Sequence, residues 1–355
     1  LGALDSIIAQ IVPQTKNLVG IDIGAGFIKV CEISGSRIER FHAIPLSEAA
    51  IIEDEIQKEE EVISKVQRCI EEAGIKAFNV SMSLQGPNTV LKRMQVPAGN
   101  EDEVEDHILW ESEQYIPFGA DNSVIHHAIL GDNEGGGKDV ILVAAREDTV
   151  LSFEKIVADA GYKPRVIELS TISFSNLFEV AYADKLKKLG SGVALIDFGA
   201  QSTKICIYKA GGPVFSKEIP VGGVLVTEEI QRQMGVSYSE AEDLKINGDA
   251  NGRLPEEIMG IIEEHLNILF EDVKKSLNFF LSGGTDSALN ACLITGGNSR
   301  LPGLAEQLED ILDIEVQFFD PLRRLKPPSG FSNEEKEMMS AIGCIAMGLA
   351  LRKMN

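Results

Sequence analysis

The chain has 355 residues, 44% apolar and 25% charged, the balance of a globular protein too long for one small core, so two or more domains are expected. A net charge of −22 repels nucleic acid and anionic lipid; it excludes direct binding of either and routes any membrane association through a protein partner. No apolar run approaches the ~18 residues of a membrane span and no signal peptide is visible.

Leu1, Leu4, Ile8 and Ile11 fit one helical stripe ahead of Pro13, an arm over residues 1–16. The stretch GIDIGAGFIKVCEIS, residues 20–34, then reads as a strand, a glycine corner and a second strand. It returns as LIDFGAQSTKICIYK at 195–209; at a constant offset of 175, six of eleven core positions are identical. Duplicated hairpins imply two related domains facing one another. Gly24 and Gly199 let each turn bare its N–H groups, and two opposed nests can clasp a polyphosphate. Asp22 and Asp197, ending the strands before them, are placed to hold Mg²⁺ through its waters, and Ser202 and Thr203 add hydroxyl donors. A lone D-x-G is an ordinary tight turn; the matched repeat is what raises it above that. No Walker-type or G-x-G-x-x-G fingerprint occurs.

Residues 53–74 read as a helix with an acidic solvated face, ended by Gly74. Asn100 and Glu103 form a capping box opening a helix with Val104, Ile108, Glu111 and Tyr115 on one stripe; Pro117 ends it through Ile116. Trp110 is expected in the core. DVILVAA (139–145) reads as a buried strand, EGGGK (134–138) as a loop tip, and Asp148 as the cap of a helix stopping at Gly161. Together they make a small α+β insert at about 88–161. Farther on, Ser239 can cap a helix carrying Glu242 and Lys245 at i and i+3, either a solvated ion pair or a pair reaching ribose hydroxyls. CLITGGNSRLPGL (292–304) runs from a strand through Gly296-Gly297 toward a helix, a plain turn or a seat for a flat ring or phosphate. Residues 318–335 form a Pro-rich loop, and SAIGCIAMGLALR (340–352) a helix whose Gly343 and Gly348 permit close packing. The five cysteines show no CxxC or metal-ligand spacing and are expected buried and reduced.

The two corners with TGGNSRLPG resemble the nucleotide-binding pattern of the actin-like ATPase superfamily. The segments 90–118 and 139–169, with WESEQYIPF and VLVAAR-like cores, are similar to the PilM family of type IV pilus assembly and to the subdomain it shares with FtsA. The resemblance runs from Asn17 onward. It implies an α/β, actin-like two-domain ATPase fold: duplicated mixed sheets flanked by helices, plus an inserted small α+β subdomain. The first domain would span 17–190, completed by 335–355, and the second 191–334.

The resemblance also implies ATP or ADP with Mg²⁺ as cofactors. Asp22 and Asp197 match its metal-organising aspartates. Gly24, Ala25, Gly26, Lys29, Gly199, Ala200, Ser202, Thr203, Gly222 and Gly223 match its phosphate-binding parts. Glu242 and Lys245 match the ribose pair, and Gly296, Gly297 and Asn298 the adenosine motif. Glu168 matches a carboxylate near the metal's water shell; otherwise it is a helix-start carboxylate. The first corner departs from the family by carrying Ala25-Gly26-Phe27 where a hydroxyl usually follows the first glycine, at ~1 kcal/mol per missing bond. The implied role is a cytoplasmic scaffold at the inner membrane, at most a slow ATPase, gripping the cytoplasmic N-terminal peptide of a PilN-like membrane protein beside the insert. Other pilus motor or platform proteins and self-association are further expected contacts; nucleic acid and direct membrane insertion are not. The alternatives are an FtsA-like filament, which would continue past Asn355 to an amphipathic membrane helix, and a small-molecule kinase, which would need a carboxylate base that no motif supplies.

Overall fold

A computed structural model describes residues 18–353 apart from 54, 134, 187–191, 210, 250 and 283–287. The expected arm over 1–16 and the expected domain boundary at 190/191 lie outside the described residues.

The first half opens with the meander β1 (Val19–Ile23), β2 (Phe27–Ser34) and β3 (Arg37–Pro45), then a short hairpin, β4 (Ile51–Ile52) and β5 (Glu55–Ile56), helix α1 (Glu59–Glu72) and β6 (Asn79–Leu84). The third sheet's elements follow: β7 (Thr89–Val96), α2 (Glu101–Ser112), β8 (Ser123–Asp132) and β9 (Lys138–Arg146); α3 (Glu147–Asp159), expected in the insert, instead buries Phe153, Ile156 and Val157 in the core of the first large sheet. β10 (Lys163–Leu169), α4 (Ser170–Ala181) and α5 (Ala183–Leu186) close this half. The second half repeats the meander as β11 (Gly192–Phe198), β12 (Thr203–Lys209) and β13 (Gly212–Ile219), adds α6 (Gly223–Met234), α7 (Tyr238–Asn247) and α8 (Glu256–Leu281), and then β14 (Leu289–Thr295), α9 (Leu304–Leu312) and β15 (Val316–Phe318). α10 (Asn333–Ile342) and α11 (Cys344–Ala350) end the described chain.

The two large sheets have one topology. Their strand orders are β10-β6-β1-β2-β3 and, from the same end, β15-β14-β11-β12-β13, and in each the first hairpin is antiparallel and its inner neighbour parallel. The duplication read from eleven residues therefore extends to five strands in each half. A third sheet, β7-β9-β8, is the insert, and α2 covers one face of it with Val104 and Ile108. Helices α4 and α11 lie in an apolar layer shared by both large sheets, where Phe174, Phe178 and Met347 meet Leu195 and Tyr208. The backbones nearly touch there. A Cβ on Gly20 would sit 2.0 Å from Ala346 O, and one on Gly348 would sit 1.9 Å from Ser173 O. The close approach expected at Gly348 is thus present, whereas Gly343 divides the expected single helix into α10 and α11.

Several local expectations are corrected. Residues 53 and 55–58 are not helical: Ile51 pairs with Ile56 across the hairpin, and α1 starts at Glu59. Helix α2 ends at Ser112, before the turn leading to Pro117. Ser237, not Ser239, caps α7, because Glu240 returns the bond and two N–H groups are satisfied together. Asp148 is no cap; it lies in the first turn of α3 and takes a 2.7 Å bond from Arg146 Nε. Trp110 is 62% exposed, since it stands opposite the Val104–Ile108 face of α2. The capping box of Asn100 and Glu103 and the left-handed Gly74 and Gly161 are as expected. All five cysteines are free and buried. No described helix is long and apolar enough to cross a membrane.

Candidate functional site

Asp22 is the next-to-last residue of β1 and pairs in register with Lys29 on β2; Asp197 holds the same place in β11 and pairs with Lys204 on β12. Lys29 Nζ lies 2.8 Å from Asp22 Oδ2, and Lys204 Nζ lies 3.9 Å from Asp197 Oδ2. The two corners face each other: a Cβ on Gly26 would stand 3.1 Å from the Ala200 Cβ. Burial pushes the Asp197 carboxyl above the ordinary carboxylate range. Lys204 and Lys29 pull it down, and Asp22 and Glu218 push it up, so charges of both halves act on one carboxylate. Gly24 and Gly199 close equivalent tight turns, donating to Phe27 O and Ser202 O at 3.1 and 3.0 Å.

Register carries the repeat deeper into the cleft. Continuing the β1–β6 pairing by one residue sets Asp22 beside Ser83, which pairs with Glu168 on β10. Lys29, Asp22, Ser83 and Glu168 thus form a polar row, with Asp22 and Glu168 about 10 Å apart across two strands. The equivalent row is Lys204, Asp197 and Thr295, and its last place falls to buried Phe319. The repeat breaks at one carboxylate, Glu168. That side chain is 6% exposed, takes a bond from Ser173 Oγ at 2.6 Å and is paired with Arg352 Nε at 2.6 Å. It stands at the start of α4, where the helix N-terminus favours a negative charge.

The glycines of the second half let backbones cross. Gly296, at φ 98°, abuts Asp197: a Cβ there would lie 2.5 Å from its Oδ1. Asn298 Nδ2 donates to Gly199 O at 2.8 Å and its N–H to Phe198 O at 3.1 Å, so the 296–298 turn props the second corner. A Cβ on Gly222 would lie 2.4 Å from Ala200 O, and Gly223 and Val224 donate their N–H groups to Gly199 O and Ala200 O. Lys245 is 6% exposed and donates to Gly223 O at 3.1 Å and Thr227 Oγ1 at 2.8 Å, with Glu242 Oε2 at 2.7 Å. Burial lowers its pKa against the pull of Glu242. Lys245 thereby braces the start of α6, while the Glu242 carboxylate is one-third exposed.

Two cleft residues escaped the sequence reading. Gln201, the place where the repeat replaces Gly26, crosses the cleft: its Nε2 donates to Ile51 O and its Oε1 accepts from Glu53 N at 3.2 Å. Glu218 accepts from Ser202 Oγ in the second corner and from Gly86 N, at 2.6 Å, in the turn leading to the insert. The mismatch of Gly26 with Gln201 was the available signal for the first; Glu218 had none, because its partners are far away in sequence. Among the described residues no three His, Cys, Asp or Glu side chains converge as metal ligands. Two ammonium groups and two carboxylates meet between the corners; the hydroxyls expected there as phosphate donors are already engaged, Ser202 Oγ donating to Glu218 and the buried Thr203 Oγ1 to Val221 O at 2.8 Å. Beside the insert lies a cavity of about 340 Å³, lined by Ile56, Glu59, Asp148, Leu151, Ser152 and Lys155.

Residues 20–354 match the family described as type IV pilus assembly protein PilM. The chain belongs to the PilM family. The fold agrees: a solved PilM–PilN type IV pilus biogenesis complex superposes with a TM-score of 0.84 at 25% identity, covering 95% of this chain and 98% of that one. MreB5 of Spiroplasma citri, solved with AMPPNP, shares the actin-like fold at 12% identity and a TM-score of 0.51, with 95% of each chain covered. Cell division protein FtsA of Bacillus subtilis is 25% identical over 201 residues, half of this chain. That match spans 43% of the relative's length. As a PilM-family member the chain is an actin-like protein of type IV pilus assembly.

Proposed function

We propose that the chain is a nucleotide-responsive scaffold of the pilus inner-membrane platform. It holds Mg-ATP or Mg-ADP between its two corners and grips the cytoplasmic N-terminal peptide of a PilN-like inner-membrane protein. The observation that carries this reading is the likeness, over 95% of the chain, to a PilM–PilN complex. The nucleotide is supported by the converging Asp22–Lys29 and Asp197–Lys204 pairs and by the AMPPNP of the MreB5 neighbour.

In this reading Asp22 and Asp197 would hold the metal through its waters. Gly24, Ala25, Gly26, Gly199, Ala200 and the backbone of Ser202 and Thr203 form the phosphate loops, supported by Lys29, Gly222 and Gly223. Gly296, Gly297 and Asn298 seat the adenosine. Glu242 meets the ribose, and Lys245 holds α6 in place. Glu168, held in orientation by Arg352, would face the metal's water shell. Turnover is slow, and the protein sits at the inner membrane through its partner.

The peptide lies in the cavity beside the insert. Its apolar walls, Ile56 and Leu151, are joined by Ser152 and by Glu59 and Asp148, which are ion-paired with Lys155 and Arg146. Cytoplasmic ends of inner-membrane proteins carry an excess of Lys and Arg, which complements the net charge of −22. The test is fluorescence anisotropy with the labelled cytoplasmic N-terminal peptide of the PilN-like protein from the same organism, with and without Mg-ATP. Saturable binding that changes with nucleotide, and a loss of that change in Asp197→Ala, are expected. Absence of binding, or binding indifferent to both, overturns the reading. The FtsA likeness sustains one rival, a polymerising scaffold; protein pelleting with Mg-ATP but ignoring the peptide would favour it.

A further inference from the structure

The cleft and the cavity beside the insert share one small element. Gln201 belongs to the second corner, between Ala200 and Ser202, yet its amide reaches across to the first half. It clasps one side of the β4–β5 hairpin, donating to Ile51 O and accepting from Glu53 N. Across that hairpin Ile51 pairs with Ile56, and Ile56 lines the cavity with Glu59 at the start of α1 and four residues of α3. The hairpin is short, two residues per strand, so one clasped side moves the other with it. Lys155 of α3 is ion-paired with Glu59, which ties the far wall of the cavity to the segment just after the hairpin. From the phosphate corner to the cavity the path is thus one side chain and one hairpin.

We infer that Gln201 is a positioning residue that couples the nucleotide corner to the peptide-binding cavity through the β4–β5 hairpin. This rests on the proposed function, which supplies the two ligands. A primary amide suits this span: one planar group donates to the Ile51 carbonyl and accepts from the Glu53 N–H. A ligand that moves the second corner by a fraction of an ångström must carry the amide along, and the hairpin has two bonds by which to follow. Coupling between two sites requires such an element to take up different positions with the ligand bound and free, and it is reciprocal: the peptide must alter nucleotide affinity by the same factor.

The experiment compares the full chain with Gln201→Ala and Gln201→Met. Gln201→Met keeps the length of the side chain, adds no charge to the phosphate corner and loses both hydrogen bonds to the hairpin. Hydrogen exchange of segments 51–57 and 148–155 is followed on adding Mg-AMPPNP, and the Kd of the labelled N-terminal peptide is measured with and without that nucleotide. In the unaltered chain Mg-AMPPNP changes exchange in both segments. In both variants Mg-AMPPNP still binds within about threefold, but the response at 148–155 is lost and the ratio of peptide Kd values falls to about one. A merely structural role would weaken both ligands and leave the ratio unchanged. Either variant keeping the full response at 148–155 overturns the inference. The exchange measurement needs no peptide, so failure of the peptide to bind counts against the proposed function while the role of Gln201 is still judged.

Discussion

Gly26 and Ala200 oppose each other across the cleft so closely that a methyl on the first would meet the methyl of the second at 3.1 Å. The residues lie 174 positions apart, and their contact fixes how near the two phosphate corners can come. A branched side chain at Gly26 is a wedge. Gly26→Val is expected to weaken Mg-ATP binding about tenfold or more, read with a fluorescent ATP analogue, while circular dichroism stays unchanged.

The two aspartates are equivalent by repeat but not by environment, and neutral isosteres should separate them. Asp22→Asn strips Lys29, only 13% exposed, of a 2.8 Å partner and is expected to cost about 2 kcal/mol of stability. Asp197 is already disfavoured as an anion by burial, so Asp197→Asn should leave the melting temperature unchanged or raise it. Both should remove the Mg²⁺ dependence of nucleotide binding. Equal loss of stability in thermal melts would contradict the asymmetry.

Glu168 and Arg352 join β10 to the chain end with a 2.6 Å ion pair whose side chains are 6% and 13% exposed. Arg352→Ala should cost about 2 kcal/mol, and adding Glu168→Gln should restore part of it, because the second change removes the stranded charge. Additive losses in that double-mutant cycle would mean that the pair is not coupled. If Glu168 also orders a metal-bound water, Glu168→Gln will lower the ATPase rate more than it lowers the melting temperature.

His265 in α8 is 8% exposed, and burial, aided by the nearby Lys245 charge, brings its pKa down to about 4 from 6.5. The folded chain therefore holds fewer protons than the unfolded chain between those values. Its stability should fall as pH drops from 6.5 toward 4 and level off below, by up to about 3 kcal/mol from this one group. His265→Gln should flatten that part of the profile in denaturant titrations at several pH values. An unchanged slope between pH 4 and 6.5 would place the loss in other groups.

Much of the architecture was visible along the chain. The corner at 21–31 and its return at 196–206 carry hydrophobic strands, a turn glycine and a terminal aspartate, all local features, and the constant offset says that they are copies. The box of Asn100 and Glu103 was likewise a matter of neighbours. Local signals misled where a reciprocal partner lay close by, as with Ser237 over Ser239, and where exposure depended on which face of a helix met a sheet, as with Trp110.

Residue order alone thus established the duplicated aspartate corners, the insert with its capped helix, and the buried thiols, because strand periodicity, turn glycines and caps act over a few positions. Folding in three dimensions added the contact of Gly26 with Ala200, the burial of Lys245 against Gly223, the single carboxylate that breaks the repeat at Glu168, and the reach of Gln201 and Glu218 across the cleft. All but the Lys245 contact depend on how two sheets pack around α4 and α11, where backbones approach within van der Waals range and partners more than a hundred residues apart, such as Gln201 with Ile51 and Glu218 with Gly86, meet. No local pattern encodes that distance.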